Sequence, residues 1–199
     1  MGILTQLLIF VGDYAPLVCF LGAILGGEET LILLSIIAAH GYMSIWIILV
    51  FFYLGIIVSD MIWYYAGKSE LFNWLVRRKL LSRAYFHWGK LLDKATKGND
   101  FRALFLTKFL YGFRLITIMY LSRERIRLRK FIEYSLIVDA IWVGAITTIG
   151  WFAGKGVKLA NTLSNNLVLT LFIAGIIIIG FTIIMRLIAK KVRIWLEKK

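Results

Sequence analysis

Five apolar stretches, roughly residues 14–39, 42–66, 103–122, 131–154 and 167–189, are flanked by three blocks of basic residues, after the second, the third and the fifth. That arrangement constrains the fold more than any single motif. A helix needs about 20 apolar residues to cross the hydrocarbon core of a bilayer, so each stretch is long enough. Soluble domains are about 45–50% apolar, whereas this 199-residue chain is 60% hydrophobic with a mean hydropathy of +0.81. It reads as an all-α integral membrane protein, a polytopic helical bundle forming a single domain over residues 1–199. The lone Cys19 excludes an internal disulfide. The start, MGILTQLLIFVGDYAP, lacks a basic n-region and a cleavage site, and reads as an uncleaved amphipathic lead-in.

The net charge of +13 would suit nucleic acid, but its distribution argues for a membrane. Nine of the 24 Lys and Arg fall in 68–102, five in 123–130 and six in 186–199. All three blocks adjoin apolar stretches, as cytoplasmic loops facing anionic lipid do. If 103–122 crossed the bilayer, one of its two flanking basic blocks would lie outside. Keeping both inside makes 103–122 a re-entrant hairpin, with Lys108, Gly112 and Arg114 at its polar break. Stretch 131–154 then runs outward, the sparsely charged loop 155–166 lies outside, and 167–189 returns to a cytoplasmic tail. Stretch 42–66 runs inward, and 14–39, broken at Gly26-Gly27-Glu28-Glu29, becomes a second hairpin opposed to the first. Irregular backbone at such depth is tolerated only inside protein or beside a wet cavity.

Segment 68–102 carries Tyr85, Trp88, Leu91, Leu92 and Ala95 at helical spacing, with Ser82 as N-cap and Gly98 as the C′ residue. The spacing predicts an amphipathic helix lying in the cytoplasmic interface. Trp46, Trp63, Tyr64 and Trp195 are expected as interface anchors. The chain also repeats itself: Asp60-Met61-Ile62-Trp63 matches Asp139-Ala140-Ile141-Trp142, each inside a span that follows a broken hairpin. Because the two spans run oppositely, the pattern is that of an inverted-topology repeat, which places a substrate site where broken helices meet.

Charged residues inside spans mark candidate sites. Glu28 and Glu29 sit at one break, Lys108 and Arg114 at the other. If the two tips meet, Glu28 and Arg114 form a central pair, with Lys108 and Glu29 next. Arg114 is suited to a lipid phosphate, because guanidinium binds phosphate bidentately. A carboxylate in such a setting can change protonation, which points to proton coupling. Asp60 and Asp139 are supports, or simply bond to backbone. His40 and His87 stand alone, so neither a metal nor another cofactor is expected. The sequence contains no Ser-His-Asp set, HExxH, GxSxG or P-loop, so it is not read as an enzyme.

These residues resemble the DedA family, also called the VTT or SNARE-associated Golgi domain. Gly55, Asp60, Tyr64, Tyr65 and Gly67 fit its first signature. Lys108-Phe109-Leu110-Tyr111-Gly112-Phe113-Arg114, then Arg129-Lys130-Phe131, Trp142 and Gly150-Trp151-Phe152-Ala153-Gly154, fit the second. Lys108 replaces the family's first arginine and Tyr111 its proline, and the first hairpin lacks the family's prolines and one of its acids. The resemblance spans roughly residues 14–155 and adds Arg129 as a support. It implies translocation of a phosphate-bearing lipid, either polyprenyl phosphate or phospholipid, by a flippase or scramblase tied to the proton-motive force. It also implies a prokaryotic inner membrane, with the basic loops and C-terminus cytoplasmic. The competing expectations are a proton-coupled carrier for a small anion or drug, and a non-transporting scaffold or assembly factor. The scarcity of uncharged polar residues within the spans (Ser35, Ser59, Thr117, Thr147, Thr148) favours a lipid over a sugar.

Overall fold

A computed structural model describes residues 3–70, 72, 74, 79–109, 114–161, 175–176, 179–180, 182–184, 186–187, 190–191 and 194. Among the described residues all regular structure is helical. The helices are α1 (Ile3–Asp13), α2 (Ala15–Leu25), α3 (Gly27–Ala39), α4 (Ile45–Lys68, with a π turn at Ile48–Phe52), α5 (Lys79–Thr96), α6 (Asp100–Phe109), α7 (Arg114–Glu124) and α8 (Leu128–Asn161). The chain forms two compact units, residues 1–59 with 139–182, and residues 60–138 with 183–199. The expected span 167–189 and the anchor Trp195 fall largely or wholly outside the described residues.

In the first unit, Pro16 sits at the start of α2, where its missing N–H breaks no helical bond. The break after α2 comes from the glycines. Gly27 has φ +64°, a left-handed conformation that L side chains rarely adopt. There the chain turns back, so that Gly22 of α2 faces Thr30 and Leu34 of α3. The hairpin predicted over 14–39 is therefore a helical hairpin. Its arms of 11 and 13 residues are roughly 16 and 20 Å long, short of a hydrocarbon core of about 30 Å.

Helix α3 is buried on nearly every side: Leu31, Ile32, Leu34, Ser35, Ile36, Ala38 and Ala39 are all covered. One side meets α2. The other meets α8 through Gly150 and Gly154, one turn apart. A Cβ on Gly150 would lie 2.7 Å from Ser35 Cβ, and one on Gly154 would lie 2.6 Å from Ala39 Cβ and 3.0 Å from Ile36 Cα. This is the small-xxx-small contact by which membrane helices bring their backbones together. Because backbone cannot yield as a flexible side chain does, Gly154→Leu is expected to cost about 1–3 kcal/mol or more. Thermal unfolding in detergent should show the loss, whereas Gly144→Leu, at a position open on α8, should leave the midpoint unchanged.

Helices α4 and α8 are each long and apolar enough to cross a membrane. On α4, Trp46, Val50, Leu54, Val58, Ile62 and Tyr65 form one exposed stripe. From Trp46 to Tyr65 is about 29 Å at 1.5 Å per residue, the thickness of a hydrocarbon core with an aromatic residue at each edge. Trp46 is thus exposed as an interface anchor would be. Tyr64 is not: it is wholly buried. The helix starts where the Ser44 hydroxyl accepts from the Trp46 N–H at 3.3 Å. Helix α8 extends beyond the predicted 131–154, running through the first part of the expected external loop.

The second unit is built around Tyr64, Tyr85, Leu92, Leu104, Ile118, Leu121 and Phe131. Helix α5 begins at Lys79, one turn before the predicted Ser82 cap. At its end Lys97, not Gly98, is the left-handed C′ residue (φ +52°), and the Gly98 N–H reaches Asp93 O at 3.2 Å. That 6→1 bond closes a Schellman motif. Part of the apolar face of α5 packs inside its own unit. Tyr85, Trp88 and Leu92 are buried in the unit's own core, and Trp88 Nε1 donates to Thr117 Oγ1 of α7 at 2.9 Å. An amphipathic helix must cover its stripe, but the pattern does not say with what.

Candidate functional site

Residues 103–122 fall in two helices, α6 and α7, and the predicted break between them, residues 110–113 with Gly112, lies outside the described residues. The two helices end in cations. Lys108 is in the last turn of α6, where the helix dipole favours a positive charge. Arg114 is the first residue of α7, where the dipole opposes one. Both are held by Asp60 of α4. The Arg114 guanidinium donates to Asp60 Oδ1, and Lys108 Nζ stands 3.5 Å from Asp60 Oδ2. The three side chains are 3% (Asp60), 4% (Lys108) and 16% (Arg114) exposed. One buried carboxylate thus binds two cations.

The positioning of Asp60 follows from the sequence one and two turns on. Tyr64 donates to Ile126 O at 2.9 Å and accepts from Lys68 Nζ at 2.9 Å, so the face bearing residues 60, 64 and 68 is fixed in rotation. Gly67 then lets α4 touch α7, since a Cβ there would lie 2.7 Å from Met119 Cα. Tyr64 and Phe131 stack with ring centroids 4.7 Å apart.

A second polar cluster closes the far end of the same unit. Arg125 reaches Asp93 and Asp100, each at 2.7 Å, and the Tyr120 hydroxyl donates to Asp93 at 2.8 Å. Arg125 belongs to the basic block 123–130 that the sequence assigns to a lipid surface. It faces inward instead and ties the α5–α6 turn to the end of α7. Nearby, burial together with the Glu124 charge pushes the Tyr85 phenol up to about 12, so it is neutral at physiological pH.

The other candidate residues are distributed as follows. Glu28 and Glu29 occupy the first turn of α3 in the first unit, half-buried, where the positive end of the helix dipole favours carboxylates. Asp139 is fully buried on α8 in that same unit. Arg129 is an exposed surface residue whose guanidinium meets Glu133 one turn later at 3.1 Å. Asp60, expected as a support, is the shared partner of Arg114 and Lys108. A signal for this was present: Asp60 is the one acid within 42–66, and Lys108 and Arg114 are the two charges within 103–122. Glu28 is the more conspicuous acid in the sequence because it adjoins Glu29 at a glycine break.

The chain is 25% identical over 144 residues to the inner membrane protein YohD of Escherichia coli K12, an alignment covering 71% of each chain. No protein-family model and no solved structure matches the chain.

Proposed function

We propose that this protein is a membrane lipid transporter of the DedA type, moving a phosphate-bearing lipid (polyprenyl phosphate or phospholipid) across the bilayer in exchange with protons. The observation that carries the reading is the buried Asp60 with its two cations, Lys108 and Arg114. Guanidinium and ammonium are the side chains that bind phosphate oxygens, and here both stand on one buried carboxylate. A phosphate can take the place of Asp60 on one cation without either charge entering hydrocarbon alone. The lipid tail stays in the bilayer throughout, as the two broken helical hairpins of an inverted repeat would allow. Glu28 is the proposed acid that changes protonation, with Glu29 beside it and Asp139 as a further buried acid. Similarity to an inner membrane protein and the bilayer-length stripe of α4 support the location.

The test is lipid flux in proteoliposomes. Transbilayer movement of labelled phospholipid and polyprenyl phosphate is followed for wild type and Arg114→Ala, with and without a pH gradient. Flux in wild type that falls at least tenfold in folded Arg114→Ala is the expected result. A wild type that moves neither lipid, while folded and inserted, overturns the reading in favour of a scaffold or a small-anion carrier.

A further inference from the structure

At the turn between α5 and α6 a cavity of about 270 Å³ opens, lined by Ala95, Thr96, Phe101, Arg102, Phe105 and Leu106. Its walls are apolar. The Thr96 hydroxyl points away, donating to Leu92 O at 2.9 Å, so the polar group at the rim is the exposed Arg102. Asn99 Oδ1 caps the Arg102 N–H at 3.0 Å and so fixes that residue in the first turn of α6. Lys94 and Lys97 stand exposed on the same turn. The turn also carries two acids, Asp93 and Asp100, but Arg125 binds both of them. Arg102 is therefore the charged side chain that lines an otherwise apolar cavity, with Lys94 and Lys97 close to it in sequence.

We propose that this cavity is a binding site for one anionic phospholipid, separate from the Asp60 cluster. A segment of acyl chain lies among Ala95, Phe101, Phe105 and Leu106, and the phosphate rests on Arg102 with Lys94 and Lys97. The pairing is one of charge and polarity together. A soluble anion leaves the cavity empty, and an uncharged lipid leaves the rim unmatched. Its volume, near the lower end of the roughly 300–1,000 Å³ usual for ligand pockets, suits part of one chain and not a whole lipid. The site rests on the membrane location of the proposed function but not on transport.

Native mass spectrometry of the purified full chain tests it, with phosphatidylglycerol and phosphatidylcholine titrated in parallel. Wild type should hold one phosphatidylglycerol at least tenfold more tightly than phosphatidylcholine. Arg102→Gln, at an exposed position that should not disturb folding, should lose that preference. Ala95→Leu, which fills the cavity, should weaken both lipids. Inorganic phosphate at millimolar concentration should not displace the lipid. Unchanged preference in Arg102→Gln, or full displacement by phosphate, overturns the site. Lipid flux of Arg102→Gln is read alongside. Binding lost with flux intact is the expected separation, whereas wild-type binding without flux removes the transport reading alone.

Discussion

Asp60→Asn is expected to be the most destabilising single substitution in the second unit. The change removes the charge that Lys108 and Arg114 share while preserving the size of the side chain. Removing one partner of a buried ion pair costs about 3–5 kcal/mol, because the remaining charge is left without its compensation. All three groups here are well buried, so solvent screens little of that loss. At roughly 2–4 °C per kcal/mol for a chain of this size, the unfolding midpoint in detergent should fall by roughly 6–20 °C. A second substitution makes the argument specific. Asp60→Asn with Lys108→Met removes one of the two cations as well, and should recover part of the loss. A single variant as stable as wild type would show that the carboxylate is not what holds the two cations.

The fold was legible where glycine and charge punctuate apolar sequence. Gly26-Gly27 ends one helix and starts the next, as read, because a left-handed residue cannot continue a helix. Helix α4 was legible as a helix long and apolar enough to span, because its run of apolar residues is interrupted by one charge only, Asp60. Other features were not legible, because periodicity reports that a face is apolar without naming its partner. The stripe of α5 reads as an interface-facing one, and its Tyr85, Trp88 and Leu92 are buried in the unit's own core. Tyr64 looked like an interface anchor, yet its hydroxyl closes a contact to Ile126 that is 62 residues away. Arg125 shows the same limit for charge, since a basic block in sequence does not say which of its members faces inward.

The candidate site was half legible. Lys108 and Arg114 stand out in the sequence as cations that need a carboxylate, because lone charges inside an apolar hairpin are costly. The carboxylate that holds them, Asp60, was ranked below the glutamates, since a single acid in a long span carries less pattern than an acid pair at a break. The helix ends supply what the pattern lacked. Glu28 and Glu29 occupy the first turn of α3, where the helix dipole favours a carboxylate. Arg114 begins α7, where the dipole is unfavourable, so its need for an acid is the stronger of the two.

Glu28→Gln is the substitution expected to separate transport from folding. Glutamine keeps the length and shape of the side chain and can still accept a hydrogen bond, and the helix-dipole interaction at this position is worth about 0.3–1 kcal/mol. The hairpin itself is set by Gly26 and Gly27 and by burial of α3 between α2 and α8, none of which the change touches. The unfolding midpoint should therefore move by only a few degrees. Flux is another matter. If Glu28 exchanges a proton in each transport cycle, a side chain that cannot ionise arrests the cycle, and lipid movement in proteoliposomes should drop to the protein-free level with or without a pH gradient. Glu29→Gln, on the next residue of the same turn, should keep a measurable fraction of wild-type flux. Full activity in Glu28→Gln would remove the proton step from the mechanism while leaving Asp60, Lys108 and Arg114 as a phosphate site. A gradient-independent wild type with an inactive Glu28→Gln would instead make the residue a structural gate of a scramblase.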